Sequence, residues 1–512
     1  MKPEEFLASL QPSDSTRPFP GAALSVCKQG EVVYHTAGLA DIEQCVSISP
    51  QSRFHVASLA KQFTAFIVAS LIAERKLHME SPATEYLPWL PPALEDVRLR
   101  HLLFHTSGIR DQWALAYFAG RREGDQITTG DVQGWLENES ALNFIPGSRF
   151  LYSNSGYTLL GLIAEQITGR EFTSLADDLL FRPLGMTSTG FVANAHEVIP
   201  HRVYGYRSAG NAYWRYDPQY GVIGSTCLRT SVEDMGKWLA CSVHNEFFAA
   251  VRNVGYFEPG YLDDGQLSRY GFGQIITTIA GRDVIMHGGF DYGFNAILVR
   301  CADEPSGIFA AANSGFAELE TSAIDVFKGL FGTESNHSGH GTKESALLPP
   351  NVITGIYSDE ERRDVRSIQR LPDGRLWLGW MQGFELRSIG HAEYSVVGTP
   401  NVMSFDANRE TIEFYNGYEL TKLALVQGSP IQYQTLIGDY FSSELRSVIT
   451  IRQKNDGLTI KVGANDEDAL EIAAPDLCVW GAYWARPIIE GERVIRLFVS
   501  HPRCTMLEFR RI

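Results

Sequence analysis

Ser58 and Lys61 stand three residues apart at the head of the apolar run Phe54-His-Val-Ala-Ser-Leu-Ala-Lys-Gln-Phe-Thr-Ala-Phe66. On a helix that spacing brings both side chains to one face, so the amine reaches the hydroxyl. A serine hydroxyl is a weak nucleophile at neutral pH unless a neighbour takes its proton, and a lysine shielded by apolar helix is held uncharged enough to do so. The pair is a candidate nucleophile and base. Ser25 and Lys28 repeat the spacing, but they lie in Ala22-Ala-Leu-Ser-Val-Cys-Lys-Gln-Gly-Glu-Val-Val-Tyr34, which reads as a β-hairpin around a Gln-Gly turn. Residues three apart on a strand face opposite sides, so this second pair cannot cooperate.

Collapse of a tetrahedral intermediate needs a second proton carrier for the leaving group. Tyr152 and Asn154 form the only Tyr-x-Asn in the chain, in a loop just before a helical pattern that starts near Gly156. His287-Gly288-Gly289 ends the strand-like run Asp-Val-Ile-Met, and the two glycines let a substrate backbone come close to a strand edge. His101 and His105 are four apart, but no third ligand accompanies them, so they read as structural histidines and no metal site is expected.

The elements that must position these residues fall into distinct stretches. Residues 1–333 alternate helical and strand-like segments, as in one large α/β or α+β domain. Residues 334–348 are polar and glycine-bearing without periodicity, and read as a linker. Residues 349–430 and 431–512 carry short alternating strands closed by Asp-Gly and Asn-Gly turns. Tyr440 minus Tyr357 and Gly457 minus Gly374 both give 83, which points to a duplicated module of a size suited to a small antiparallel barrel or sandwich. Tryptophans 377, 380, 480 and 484 are expected in the barrel cores.

The 512 residues carry a formal net charge of -16 with no basic run, which argues against nucleic acid or an anionic membrane surface as partner. The N-terminal residues lack an apolar core of signal-peptide type, and the longest apolar stretch, Phe63 to Ala73, is too short to span a bilayer. A cytoplasmic protein is expected. Seven cysteines without regular spacing read as reduced thiols.

Together these motifs resemble the penicillin-recognising serine hydrolases, in the branch of the class C β-lactamases and D-alanyl-D-alanine carboxypeptidases. The family order is Ser-x-x-Lys, Tyr-x-Asn, then Lys-Thr-Gly or His-x-Gly. Leu102-Leu-Phe-His-Thr-Ser-Gly108, Pro183-Leu-Gly-Met186 and Tyr270-Gly-Phe-Gly273 agree as well. The resemblance covers residues 15 to 330 and implies a β-lactamase/DD-peptidase-like α/β (α+β) catalytic domain followed by two antiparallel β-barrels. It implies Ser58 as the acylated nucleophile, Lys61 and Tyr152 sharing the base and acid roles, and Asn154 holding the substrate amide. The N–H groups of Ser58 and Phe290 would form the oxyanion hole, beside Gly288 and Gly289. It implies no cofactor, and β-lactams become candidate inhibitors.

One departure narrows the substrate. Most relatives hold a terminal carboxylate with Lys-Thr, whereas His287 followed by glycine offers much less. This combination with two C-terminal barrels is similar to the bacterial D-aminopeptidases, in which a loop of the last barrel enters the active site. That layout implies release of N-terminal D-amino acids, D-alanine or glycine preferred, from small peptides, amides and esters. Asp476, after a proline in an apolar setting, is the candidate partner for the substrate ammonium. A broader serine esterase or amidase and a non-catalytic small-ligand binder stay open as alternatives, and a homodimer is one expected assembly.

Overall fold

The computed structural model describes residues 1–11, 17–209, 212–291, 293–315, 319–333 and 354–512, apart from 361–362, 380–383, 391–392, 397–401, 407–409, 416–419, 427–432, 456 and 492. The linker expected at 334–348 lies outside the described residues, as does Trp380.

The catalytic part is built on an eight-stranded antiparallel sheet. Its order is Pro259–Tyr261, Leu267–Gly271, Ile275–Ile279, Arg282–Asp291, Phe294–Cys301, Gly307–Ala312, Ala22–Lys28 and Glu31–Ala37. The N-terminal hairpin therefore pairs with the last strand of the domain, Ala22 lying opposite Ala312. Within that hairpin Lys28 faces Glu31 at the exposed end while Ser25 is buried, so the second Ser-x-x-Lys is indeed split across a strand.

Both faces of the sheet are covered, which is why its central strands read as continuous apolar runs. Ile297 and Val299 pack with Phe6, Val326 and Phe327 of the terminal helices on one face. Ala296 and Leu298, turned the other way by the two-residue period of a strand, join the larger core around Phe63, Ile67 and Trp238. The helix Lys61–Ala73 lies in that core and is apolar nearly all round, as a fully enclosed helix must be.

Two closed eight-stranded barrels follow, from Gly355 to Leu425 and from Gly438 to Arg511. Tyr357 and Tyr440 are each fully buried in the first strand of their barrel. Gly374 and Gly457 follow the same second-to-third-strand step in each, so the offset of 83 marks two copies of one topology. Trp480 and Trp484 are buried as expected, but Trp377 is only half-buried and faces the cleft described below. All seven cysteines are free.

The second barrel is docked on the catalytic domain. Tyr117 stacks on Tyr483 at 3.8 Å between ring centroids and accepts a hydrogen bond from Trp480 Nε1 at 3.1 Å. A methyl group on Gly120 would come within 2.8 Å of Gly463 Cα, so bare backbone is required there. Arg110 is buried and donates to Glu444 (2.7 Å) and to the carbonyls of Thr505 (3.1 Å) and Met506 (3.3 Å). Glu444→Ala leaves that guanidinium buried without its counter-charge. It should cost about 3 kcal/mol, read as a lowered denaturation midpoint at unchanged slope.

Candidate active site

Ser58 lies in a 3₁₀ turn, Ala57–Ala60, and Lys61 is the first residue of the α-helix proper. The turn starts from an unusual backbone, since Ala57 has φ of 46°, in the left-handed region that costs a side-chain-bearing residue energy. A Cβ on Gly289 would come within 2.1 Å of the Val56 carbonyl oxygen, so the strand closes on this turn with no room for a side chain. Gly289 thus lets the strand press directly on the turn that carries the nucleophile.

Lys61 has no exposed surface, and its Nζ lies 3.1 Å from Ser58 Oγ, 2.7 Å from Asn154 Oδ1 and 2.8 Å from the Ser225 carbonyl oxygen. Burial pushes the amine well below the ordinary lysine range, with Asp111 pulling it partly back. An uncharged amine has two N–H bonds and one lone pair. Two carbonyl-type oxygens take the N–H bonds, and the lone pair is left for the Ser58 hydroxyl.

Tyr152 is enclosed and burial pushes its phenol above the ordinary tyrosine range, so it keeps its proton. Its oxygen makes no bond of full hydrogen-bond geometry, and the Ser58 hydroxyl is near enough to draw the pKa partly back. The Tyr152 ring packs on His105 at 4.2 Å and has Lys61 Nζ at 4.8 Å from its centroid. Asn154, half of the expected amide clamp, has both ends engaged: Oδ1 accepts from Lys61 and Nδ2 donates to Asp111 at 2.8 Å.

His287 lines the cleft, but both of its nitrogens are occupied. Nε2 pairs with the Tyr270 hydroxyl at 3.0 Å and Nδ1 with the Gly288 carbonyl oxygen. Burial pushes it down to about 3, so the ring is neutral and supplies no charge for a carboxylate. From His287 to Asp291 the strand keeps only Phe294–Cys301 as ladder partner among the described residues, because pairing with Ile275–Ile279 ends at Met286. Gly288, Gly289 and Phe290 lie along this free edge, and all three line the cleft with Ser58. Phe290 stands opposite Asn295 with its ring half-exposed.

Asp476 is not brought to the site. It occupies the tight turn between the strands Glu467–Ala474 and Leu477–Trp480 and is absent from the cleft lining. The second barrel contributes Asp466, Asp468 and the turn Pro502-Arg503 instead, because that barrel meets the catalytic domain through the opposite ends of its strands. His101 and His105 are structural: His101 Nε2 pairs with Asp263 at 3.2 Å, and His105 Nδ1 accepts from Ser153 N–H at 3.1 Å.

Sequence reasoning missed four contributors. Asp111 accepts from the N–H of Trp113 and from both nitrogens of Asn154, and its position just after His-Thr-Ser-Gly at the start of a helical run was the available signal. Ser225 acts through its carbonyl and Arg503 through a domain contact, neither of which has a sequence pattern. Glu320, at the start of the helix Leu319–Phe331, also lines the cleft, with Oε2 3.6 Å from where a Cβ of Gly288 would lie. Burial pushes its carboxyl up to about 7, and it has no ion-pair partner among the described residues.

A buried amine of lowered pKa on a serine hydroxyl, with a protonated phenol in reach, is the equipment of a serine hydrolase. The chain belongs to the Beta-lactamase family, whose pattern matches residues 8–326. It is similar to a D-aminopeptidase of Gluconobacter oxydans, at 27% identity over 72% of this chain and 70% of that protein. A D-aminopeptidase of Brucella anthropi is 26% identical over 83% and 79%, and penicillin-binding protein 4* of Bacillus subtilis 26% over 58% and 68%. Among solved structures, an octameric penicillin-binding protein homologue from Pyrococcus abyssi superposes with a TM-score of 0.57 at 20% identity, over 90% of this chain and 96% of that one. The D-amino acid amidase from Ochrobactrum anthropi gives 0.51 at 21% identity, over 60% and 93%. At those identities the superpositions show the fold.

Because the base must be uncharged, activity should be lost as pH falls through the lowered Lys61 value. The acid limb of kcat/KM should therefore lie well below pH 10, and Lys61→Met should abolish turnover, by about 10³-fold or more, at every pH.

Proposed function

We propose that this chain is a serine hydrolase that releases N-terminal D-amino acids, with D-alanine and glycine preferred, from short peptides, amides and esters. The observation that carries the reading is the fully buried Lys61 amine at 3.1 Å from Ser58 Oγ, its pKa pushed down by burial. Lys61 takes the hydroxyl proton as Ser58 attacks the substrate carbonyl. The N–H groups of Ser58 and Phe290 receive the oxyanion, and the Tyr152 phenol delivers a proton to the departing amine. Water then attacks the acyl-enzyme by the reverse proton path and frees the acid.

Three features support the finer specificity. The neutral His287 gives a substrate carboxylate no counter-charge. The Pro502-Arg503 turn narrows the cleft beside Tyr152, which favours a small residue. Glu320 offers a free carboxylate along the strand edge, the type of partner a half-desolvated ammonium requires. The D preference is supported by the names of the relatives. A cleft of about 1860 Å³ favours one second reading, a broader esterase or amidase of the same fold.

The test compares D-Ala, L-Ala and N-acetyl-D-Ala p-nitroanilides and matched esters with wild type and Ser58→Ala. Serine-dependent cleavage confined to free-amine D-residues is expected. Turnover of esters alone would select the broader enzyme, and no serine-dependent turnover would sink both. Glu320→Gln should shrink the preference for D-Ala over N-acetyl-D-Ala by about tenfold. In the wild type that preference should strengthen as pH rises through about 7, where Glu320 ionises, and in the variant it should be flat.

A further inference from the structure

We propose that Arg503 makes the second barrel part of the catalytic centre, its guanidinium charge opposing a second positive charge on Lys61. The inference rests on Lys61 being the base of the proposed reaction.

Arg503 is held by its backbone rather than by its charge. Its carbonyl oxygen accepts from Asp111 N–H at 2.9 Å and from Asn143 Nδ2 at 3.3 Å, and its own N–H donates to His501 Nδ1 at 3.2 Å. Two residues on, Thr505 donates to Asn143 Oδ1 through both its N–H (2.7 Å) and its hydroxyl (3.0 Å). Four of these bonds tie the turn to the catalytic domain, and the Arg503 side chain lines the cleft. There the guanidinium carbon lies 4.8 Å from the centroid of the Tyr152 ring, whose other neighbour at 4.8 Å is Lys61 Nζ. Among the described residues no carboxylate lies within ion-pair distance of it. An arginine kept for docking alone would be paired, as Arg110 is with Glu444.

The groups facing Lys61 come from every element around it. Ser58, Asn154 and the Ser225 carbonyl touch the amine, and the Tyr152 and Tyr157 rings cover it. Asp111 and Asp291 favour the charged amine, and Arg503 is the cation that disfavours it. His105 and His287 are held neutral by burial and carry no charge to replace it. Two carboxylates without Arg503 would draw the base back toward its protonated, unreactive form, so burial and the guanidinium work together. The same charge lowers the Tyr152 phenol, which eases its proton donation.

The experiment uses the full-length protein and a fluorophosphonate probe, which reports serine activation without regard to which substrate is natural. Labelling of Ser58 is followed across pH in wild type, Arg503→Gln and Arg503→Lys. In Arg503→Gln the midpoint of the acid limb should rise by about half to one pH unit, so that labelling below it slows about three- to tenfold, with the alkaline plateau kept within about twofold. Arg503→Lys keeps the charge and should hold the wild-type midpoint. Arg503→Met, which keeps the apolar stem on Tyr152, serves if the glutamine variant melts early, and should show the same shift. An unmoved midpoint in a folded neutral variant, or a uniform loss at all pH values, would overturn the assignment. A wild type that is never labelled would overturn it together with the acyl-enzyme reading, whereas normal labelling with no turnover of D-amino acid substrates would overturn the substrate reading alone.

Discussion

The burial of one amine organises the catalytic domain. Lys61 is fully enclosed, with two carbonyl-type oxygens and the Ser58 hydroxyl as its only hydrogen-bond partners among the described residues, and taking its charge out of water is the largest cost in that position. Burial pushes the amine well below the ordinary lysine range, and in its uncharged form the contact that holds Lys61 is the one through which it can accept the Ser58 proton. Much else follows from keeping this pocket dry and rigid. The Asn154 amide is pinned by Asp111, Asp111 caps the helix Gln112–Phe118, and Tyr152 and His105 close the remaining side. The left-handed backbone at Ala57 is a local cost borne within this tight enclosure.

The strand Arg282–Asp291 serves two faces of the problem. Its Gly289 lets the backbone close on Val56, and beyond Met286 it pairs on one side only among the described residues, leaving an edge along the cleft. His287, for all its place in the motif, works as a brace: with Tyr270 on one nitrogen and the Gly288 carbonyl on the other, it fixes the strand without presenting a charge. The charged groups that face the cleft beside it lie outside the motif, Glu320 on the helix Leu319–Phe331 and Arg503 on the second barrel.

Much of this was legible in the sequence because it is written in short-range spacing. Ser58, Lys61, Tyr152, Asn154 and the two glycines are found by local patterns, and the decoy at Ser25 was separable because strand and helix periods differ. The barrels were readable from their turn residues and their offset. What escaped depends on contacts distant in sequence. Asp476 is a plausible acid in a plausible segment, but a turn at the wrong end of a barrel cannot reach the cleft. Arg503 lies in an ordinary Pro-Arg turn and acquires its place from docking interactions involving Tyr117, Arg110 and Asn143. Trp377 follows the alternation of its strand, yet the outward side of that strand borders the cleft rather than solvent.

The two barrels share a topology and have diverged unevenly. In the first, the residues between the seventh and eighth strands are Asn416-Gly-Tyr-Glu419. In the second, the corresponding connection is Pro502-Arg503, a rigid residue followed by a charged one. Both copies line the cleft, the first through Arg366 and Trp377 and the second through Arg503. The duplication thus supplied raw material: the same step of one topology reads Asn-Gly-Tyr-Glu in one copy, and in its twin places a proline and an arginine at the mouth of another domain's cleft.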